Sequence, residues 1–397
     1  MKNILLVMSK FHPEYSGPAN RIPRLYKAIQ SDVSAANINV VCNSVEYSKD
    51  AQYDYDGFNV SRVVCSAPRV KSFPFNVLSK KLYNFAVYNL DFVKSLIHLY
   101  RHQKRTDFIH IAGNSGVTAA AIFWANRHKI PMIMELVTAE AKPYQKLLSV
   151  FKLKPAKDRA VFVVFNNQAA QRCKNEGYTD HHIWLRPNPI DEALFNVDLS
   201  DRDALRKQHT PFSHDDIVIL TIAKITPQKN QILLIDVLAL LPENYKLVIV
   251  GPFVTGGGLL HQDQKYLDDM RQKIEHLGLQ GRVFIKAEHV NAAEYIRASN
   301  IYAMPASNEG FGTPMIEAIA CGVPVVANES EPSFKEWVNN GENGYTAPID
   351  NPKAWADAMK AAAEISEAQM DKQSQRIISL AGQKNIYKKY IEIINKL

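Results

Sequence analysis

Cysteine is scarce and scattered in this chain. Cys42, Cys65, Cys173 and Cys321 form no Cys-x-x-Cys pair and show no zinc-ligand spacing, which excludes a disulfide framework and a structural zinc site as organising devices. A reducing cytoplasm is the expected compartment. No apolar run approaches the ~20 residues that a spanning helix needs, and low-complexity tracts are missing. The opening run Asn3–Met8 is too short for a signal-peptide core and reads as a buried strand. No Gly-x-Gly-x-x-Gly follows a strand, so a dinucleotide site is disfavoured. Asp54-Tyr-Asp56 has the Asp-x-Asp form of a metal-binding pair. It sits in a hairpin turn of the N-terminal half, before Gly57, and no metal is expected there.

What is present is a globular, two-domain composition. At 397 residues the chain exceeds one ordinary core. The net charge of +7 is unevenly spread: residues 1–200 carry the positive excess and residues 201–397 are slightly acidic. Between 61 and 105 lie Arg62, Arg69, Lys71, Lys80, Lys81, Lys94, Arg101, Lys104 and Arg105, with Asp91 the sole acid. Phe73, Phe75, Tyr83, Phe85, Tyr88, Phe92 and Tyr100 are interleaved with them. Such a surface suits an anionic membrane face or a lipid-diphosphate substrate. A solvated helix face whose aromatics are core is the other reading. No nucleic-acid motif accompanies the charge, so no nucleic-acid partner is expected.

Buried runs alternate with helices twice along the chain. Ile4–Met8, Asn37–Cys42, Phe108–Ile111, Met132–Met134 and Ala160–Phe165 read as strands of a first parallel sheet. Phe58–Val64, after Asp56-Gly57, reads as a hairpin arm. The spacing predicts a helix over Lys80–His102 with Leu82, Phe85, Val93, Leu96 and Tyr100 on its packing stripe. Asp191–Asp216 reads as a polar linker. The pattern then restarts, with Ile217–Ile222, Tyr245–Val250, Val283–Ile285, Ile301–Met304 and Pro324–Ala327 as strands. The predicted fold is α/β, two Rossmann-like doubly wound parallel-sheet domains facing across a cleft, with ligands at the carboxyl ends of the strands. The expected division is 1–195, 196–380, and a C-terminal helix over 381–397.

The chemistry concentrates in the stretch Ser307–Ala327. It follows a strand, turns through Gly310 and Gly312, and opens a helix at Pro314, where proline is well tolerated. Gly310, Phe311, Gly312 and Thr313 therefore present free backbone N–H groups beside the positive end of a helix, a setting suited to a diphosphate. Glu309 before the helix and Glu317, expected in its first turn, could both face that crevice, where carboxylates accept from sugar and ribose hydroxyls. Lys224 and Lys229 follow the opening strand of the second domain. On the same side of the sheet they would neutralise a departing diphosphate.

The span Glu309 to Glu317 resembles the Glu–seven residues–Glu motif of the retaining GT-B glycosyltransferases, in the large family four of that class (glycosyl transferases group 1). Phe11-His-Pro-Glu-Tyr-Ser-Gly-Pro-Ala-Asn-Arg21 resembles that family's glycine-rich first loop, Asp107-Phe-Ile-His110 its Asp-Val-Val-His strand, and Pro187-Asn-Pro-Ile-Asp191 its domain junction. The segment Ala223–Lys229 resembles its Gly-Arg-Leu…Lys-Gly loop, and Asn340–Gly344 its Asp-Gly-x-x-Gly turn. The resemblance runs over almost the whole chain.

It implies that Glu317 holds the donor ribose, Glu309 the transferred sugar, and Lys224 and Lys229 the diphosphate. The Gly310–Thr313 amides would contact sugar and phosphate. Gly17 would let the first loop approach phosphates or acceptor, Asn188 would mark the hinge between domains, and the last helix, Lys388–Leu397, would cross back to the N-terminal domain. It also implies retention of anomeric configuration, no divalent metal and no cofactor beyond the nucleotide-sugar co-substrate, UDP- rather than GDP-linked. The acceptor would be a glycan or a lipid-linked sugar at the cytoplasmic face of a membrane. Three departures stand out: Lys224 replaces an Arg, Val137 stands where the family commonly has His, leaving that role vacant or passed to Glu135 or Thr138, and residues 328–336 lack a Gly-Gly pair. A soluble sugar or sugar-phosphate transferase and an inactive nucleotide-binding partner are the competing readings. His110 ends a strand and reads equally as a cleft residue or a satisfied core histidine.

Overall fold

The computed structural model describes residues 2–14, 16–29, 37–44, 46–65, 77–103, 105–137, 140–148, 150–198, 200–252, 260–307, 309 and 311–397. The chain forms two compact units, Met1–Arg186 with Tyr387–Leu397, and Pro187–Ile386. The division falls at Arg186–Pro187, ahead of the 195/196 boundary expected from sequence. Residues after it are hydrogen-bonded within the second unit: Ile190 donates its N–H to the Ala381 carbonyl, and Gln383 donates to Glu192.

In the first unit, β1 (Asn3–Met8), β2 (Asn37–Cys42), β3 (Ala51–Tyr55), β4 (Phe58–Arg62), β5 (Phe108–Ala112), β6 (Met132–Leu136), β9 (Ala160–Val164) and β10 (Ile183–Leu185) build one sheet in the order β10-β9-β6-β5-β1-β2-β4-β3. Its neighbours pair in parallel except β3 with β4. A separate hairpin joins β7 (Gln145–Leu147) to β8 (Phe151–Leu153). The helices are α1 (Gly17–Ile29), α2 (Val77–His102), α3 (Gly116–His128) and α4 (Asn167–Asn175). β5 and β6 are buried at every position, as a parallel sheet covered on both faces requires. The pairing of α2 with α3 depends on Gly116, where a Cβ would lie 2.6 Å from Asp91 Cβ and 2.6 Å from the Phe92 nitrogen.

The second unit orders its strands β13-β12-β11-β14-β15-β16, all parallel. They are β11 (Ile217–Ile222), β12 (Tyr245–Val250), β13 (Val283–Lys286), β14 (Ile301–Met304), β15 (Val325–Asn328) and β16 (Gly344–Ala347). Its helices are α5 (Arg202–His209), α6 (Gln231–Ala239), α7 (Leu260–His276), α8 (Ala292–Arg297), α9 (Thr313–Ala320), α10 (Pro332–Trp337), α11 (Pro352–Ala363), α12 (Glu367–Ala381) and the start of α13 (Gln383–Lys396), whose residues from Tyr387 on belong to the first unit.

Two sequence expectations are corrected here. Asp191–Asp216 is not a free linker: it contains α5, and its Arg206 is buried, donating to the carbonyls of Ala298, Ser213, His214 and Asp216 and to Asn300 Oδ1. Two of those acceptors, Ala298 and Asn300, come from a distant segment, which a local reading of polarity does not see. The packing stripe of α2 is also reassigned. Val87, Asp91, Phe92, Ser95 and Leu99 face the core and Leu96 packs against it as expected, whereas Leu82, Phe85, Val93 and Tyr100 are exposed.

Candidate functional site

Each candidate group of the second unit sits where a strand ends. β14 runs out at Met304, and the loop that follows enters α9 at Thr313. Gly312 takes the left-handed φ of 78°, and a Cβ on it would stand 2.6 Å from Phe334 Cε1. Only glycine satisfies both the turn and the contact. Pro314 then occupies the first helical turn, where its missing N–H loses nothing. Asn308 and Gly310 lie outside the described residues. The Phe311 side chain is buried, edge-on to Trp337 at 6.1 Å, so its backbone rather than its ring is what a ligand can reach.

Thr313 Oγ1 accepts a 2.9 Å hydrogen bond from Asn188 Nδ2, while Asn188 Oδ1 is buried without a partner among the described residues. Sequence placed Asn188 at a hinge. Its tie to the head of α9 spans 125 positions of chain and was not readable from spacing.

The loop is braced by the segment after β11. The Ser307 N–H donates to the Gln228 carbonyl at 3.1 Å, and Lys229 Nζ forms an ion pair with Glu309 Oε2. The Glu309 N–H donates to Glu331 Oε2 at 3.3 Å. Lys224 turns instead to Asp263 of α7, at 3.0 Å, and Thr226 donates to the other oxygen of that buried carboxylate at 2.9 Å. Asp263 therefore holds the lysine in place, a role sequence reasoning missed because Asp263 follows the glycine-rich sequence 252–260, which carries no periodicity.

Glu317 lies in the second turn of α9, not the first, since the helix begins only at Thr313. Its carboxyl makes no hydrogen bond or ion pair among the described residues. Burial pushes it up to about 7, the direction expected when a carboxylate loses water and gains no cation. Beneath it, Tyr302 is fully buried and donates to the Ile222 carbonyl at 3.1 Å. Burial raises that phenol, and Glu317 and Glu309 reinforce the effect. The two acids and Lys229 thus belong to one neighbourhood at the carboxyl ends of β11 and β14.

In the first unit, Gly17 opens α1, with no atom of the described residues within 4 Å of where its Cβ would be. No packing among the described residues demands glycine there. Val137 follows β6, and Thr138 lies outside the described residues. Glu135 is not free to act as a base. Arg21 grips both of its oxygens, Arg186 Nη2 donates to Oε1 at 3.2 Å, and the Tyr390 hydroxyl donates to Oε1 at 2.6 Å. Although burial opposes ionisation, Arg21 and the other donors hold this carboxyl well below the ordinary range. His110 is wholly buried, 3.1 Å from the Tyr26 hydroxyl through Nδ1, and burial lowers its pKa. Asp54 accepts from the Gly57 N–H at 3.2 Å and Asp56 pairs with Lys27, so this motif serves the turn. A cavity of about 750 Å³ opens beyond the ends of β5 and β6, walled by Tyr88, Asn114, Glu135, Val137, Lys142 and Gln145 among others.

The sequence profile of the family described as Glycosyl transferases group 1 matches residues 201–379, the stretch that carries Lys224, Lys229, Glu309 and Glu317. Residues 201–379 are a glycosyl transferases group 1 domain. The fold is GT-B, two Rossmann-like units. Over its full length the chain superposes on Anabaena HepE in complex with UDP, with a TM-score of 0.72, 17% identity and all of both chains covered. The lipopolysaccharide core biosynthesis mannosyltransferase LpsB of Rhizobium meliloti is 32% identical over 143 residues, 35% of this chain and 39% of that protein. The N-acetylgalactosamine-N,N'-diacetylbacillosaminyl-diphospho-undecaprenol 4-alpha-N-acetylgalactosaminyltransferase of Campylobacter jejuni is 28% identical over 170 residues, 43% of each chain. The matched stretches thus span about two fifths of these curated relatives.

Proposed function

We propose that the chain transfers a sugar from a nucleoside-diphosphate donor, UDP-linked rather than GDP-linked, to a glycan or lipid-linked acceptor, with retention and without a metal. The observation that carries this reading is the half-buried Glu317 carboxyl, without a partner among the described residues, which acts on the buried Tyr302 together with Glu309 of the Lys229–Glu309 pair. A carboxyl partly withdrawn from water without a partner is unfavourable by itself and gains when ligand hydroxyls donate to it.

In this reading Glu317 accepts from the donor ribose and Glu309 from the transferred sugar. The backbone around Gly310, Phe311, Gly312 and Thr313 meets sugar and phosphate, and Gly17 leaves room for a ligand. As the anomeric carbon–oxygen bond to the diphosphate breaks, Lys229 and Lys224 meet the charge that grows on the leaving group. The acceptor oxygen bonds to that carbon on the same face, and its proton passes to the departing phosphate oxygen. Lys224 supplies charge without the bidentate fork of an arginine. The cavity beyond β5 and β6 is the proposed acceptor site. A lipid diphosphate is favoured there by the positive excess of residues 1–200, and the Campylobacter relative acts on a diphospho-undecaprenol, as its name states.

The test is a thermal-shift titration with UDP, GDP and their sugars, since a ligand bound by the native state alone raises the melting temperature. A rise with UDP that Glu317→Ala abolishes is expected. No rise with any nucleotide diphosphate would overturn the proposal, and turnover of a nucleotide sugar would eliminate the inactive-partner reading.

A further inference from the structure

The outer face of α2 is unusual for a solvent-facing helix. Leu82, Phe85, Leu90, Val93, Ile97 and Tyr100 are all exposed, Leu82 to 68%. At 100° per residue they fall on one stripe turned away from the buried Val87–Leu99 side. The stripe continues onto the β7–β8 hairpin, where the Leu148 N–H donates to Asn89 Oδ1 of α2 at 3.3 Å. Leu148, Val150 and Phe151 at its tip are exposed to 50%, 73% and 62%. Apolar patches of this extent mark an interaction surface.

Cations flank the stripe on both sides. Along one edge a cavity of about 360 Å³ is lined by Arg62, Lys94, His98, Arg101 and His102, against the single carboxylate of Asp50. Lys94 is paired with that carboxylate at 2.7 Å, which leaves the excess charge to Arg62 and Arg101. Along the other edge, near the hairpin, Lys142 and Lys146 share the wall with Glu140, and neither lysine is in an ion pair among the described residues. Lys146 lies directly opposite Lys152 in the hairpin register, an unfavourable like-charge pairing that Lys152 relieves in part through Glu176 at 2.6 Å.

We infer that this face of the first unit docks on an anionic bilayer, the α2 stripe and the hairpin tip entering the headgroup–acyl boundary and the Arg62–Arg101 cavity receiving lipid phosphate. The inference deepens the proposed lipid-linked acceptor and rests on it for its purpose. Lysine stems beside a buried apolar stripe keep their ammonium groups at the phosphate level. A symmetric pairing of two copies through this face would set Lys142, Lys146 and Arg101 against cations of their own kind, which selects the bilayer over a second copy.

The test is cosedimentation of the full chain with vesicles of phosphatidylglycerol and phosphatidylcholine in equal parts, and with phosphatidylcholine alone. Binding should favour the anionic vesicles and fall with salt. Val93→Glu with Ile97→Glu, and separately Val150→Ser with Phe151→Ser, should each lower partitioning about tenfold or more. Arg62→Ser with Arg101→Ser should lower it about fivefold per cation and flatten the salt dependence. Circular dichroism and melting temperature check folding, and the exposed positions of the hairpin pair leave a variant that packing does not require. Vesicle binding that is missing, or indifferent to both apolar pairs, overturns the inference. So does a concentration-dependent dimer in light scattering that the same pairs dissolve, which would make a second copy the occupant. Sedimentation uses no nucleotide, so its failure is separate from a failure of the donor titration.

Discussion

Replacing Glu317 by Gln tests the proposed donor site through stability as well as binding. In the unfolded chain this carboxyl titrates near 4.5, and in the folded protein burial raises it to about 7. The folded state therefore binds more protons between these values, and stability falls as pH rises through that window. Above pH 7 the loss is complete; below about 4.5 it is gone. At about 1.4 kcal/mol per pKa unit the raised pKa corresponds to about 3 kcal/mol, reduced to about 2 because the residue retains some contact with solvent. Glu317→Gln keeps the shape and removes the charge, so it should stabilise the second unit by about 2 kcal/mol at pH 8 and by almost nothing at pH 4.5. In melting temperature that is a rise of about 4–8 °C at pH 8. Donor affinity should move the other way, falling about tenfold to a hundredfold as charged hydrogen bonds to ribose hydroxyls are lost. Denaturant or thermal unfolding of both proteins at the two pH values, with nucleotide titration at pH 8, reads all three quantities. A variant whose stability relative to the parent does not change with pH would refute the reasoning about burial. One that binds nucleotide unchanged would refute the assignment of Glu317 to the donor.

Other expectations follow from the same geometry. Lys229→Ala should weaken nucleotide-diphosphate affinity by about 1–2 kcal/mol, and calorimetry at two salt concentrations should show a smaller salt dependence than the parent protein, because a cation has been removed and Glu309 left unpaired. Gly312→Ala should destabilise by about 2–4 kcal/mol in denaturant titrations, through the positive φ and the contact with Phe334 together. Glu135→Ala should cost about 3–5 kcal/mol, since it leaves the Arg21 and Arg186 guanidiniums without their carboxylate. Because that carboxylate titrates well below its usual range, its contribution should persist through mild acid and disappear only at strongly acidic pH, which a pH series of unfolding midpoints checks.

The sequence by itself determined the two alternating α/β halves, because buried parallel strands read as short apolar runs and the turns between them carry glycine, proline and asparagine at the needed places. It also determined the Glu309–Glu317 loop, since Gly312 and Pro314 encode a turn and a helix start through local backbone geometry alone. Tertiary structure decided the rest. Helix α2 has apolar residues on two sides, so its periodicity could not tell the face that meets α3 from the face turned outward. The β7–β8 hairpin is too short for alternation to register. The Glu135 cluster joins Arg21, Arg186 and Tyr390, and Lys224 meets Asp263, across separations where only the folded chain brings charges within reach. Even the state of Glu317 was beyond a linear reading: a carboxylate's pKa is set by what surrounds it in space, and its burial is decided only when α9 packs into the fold.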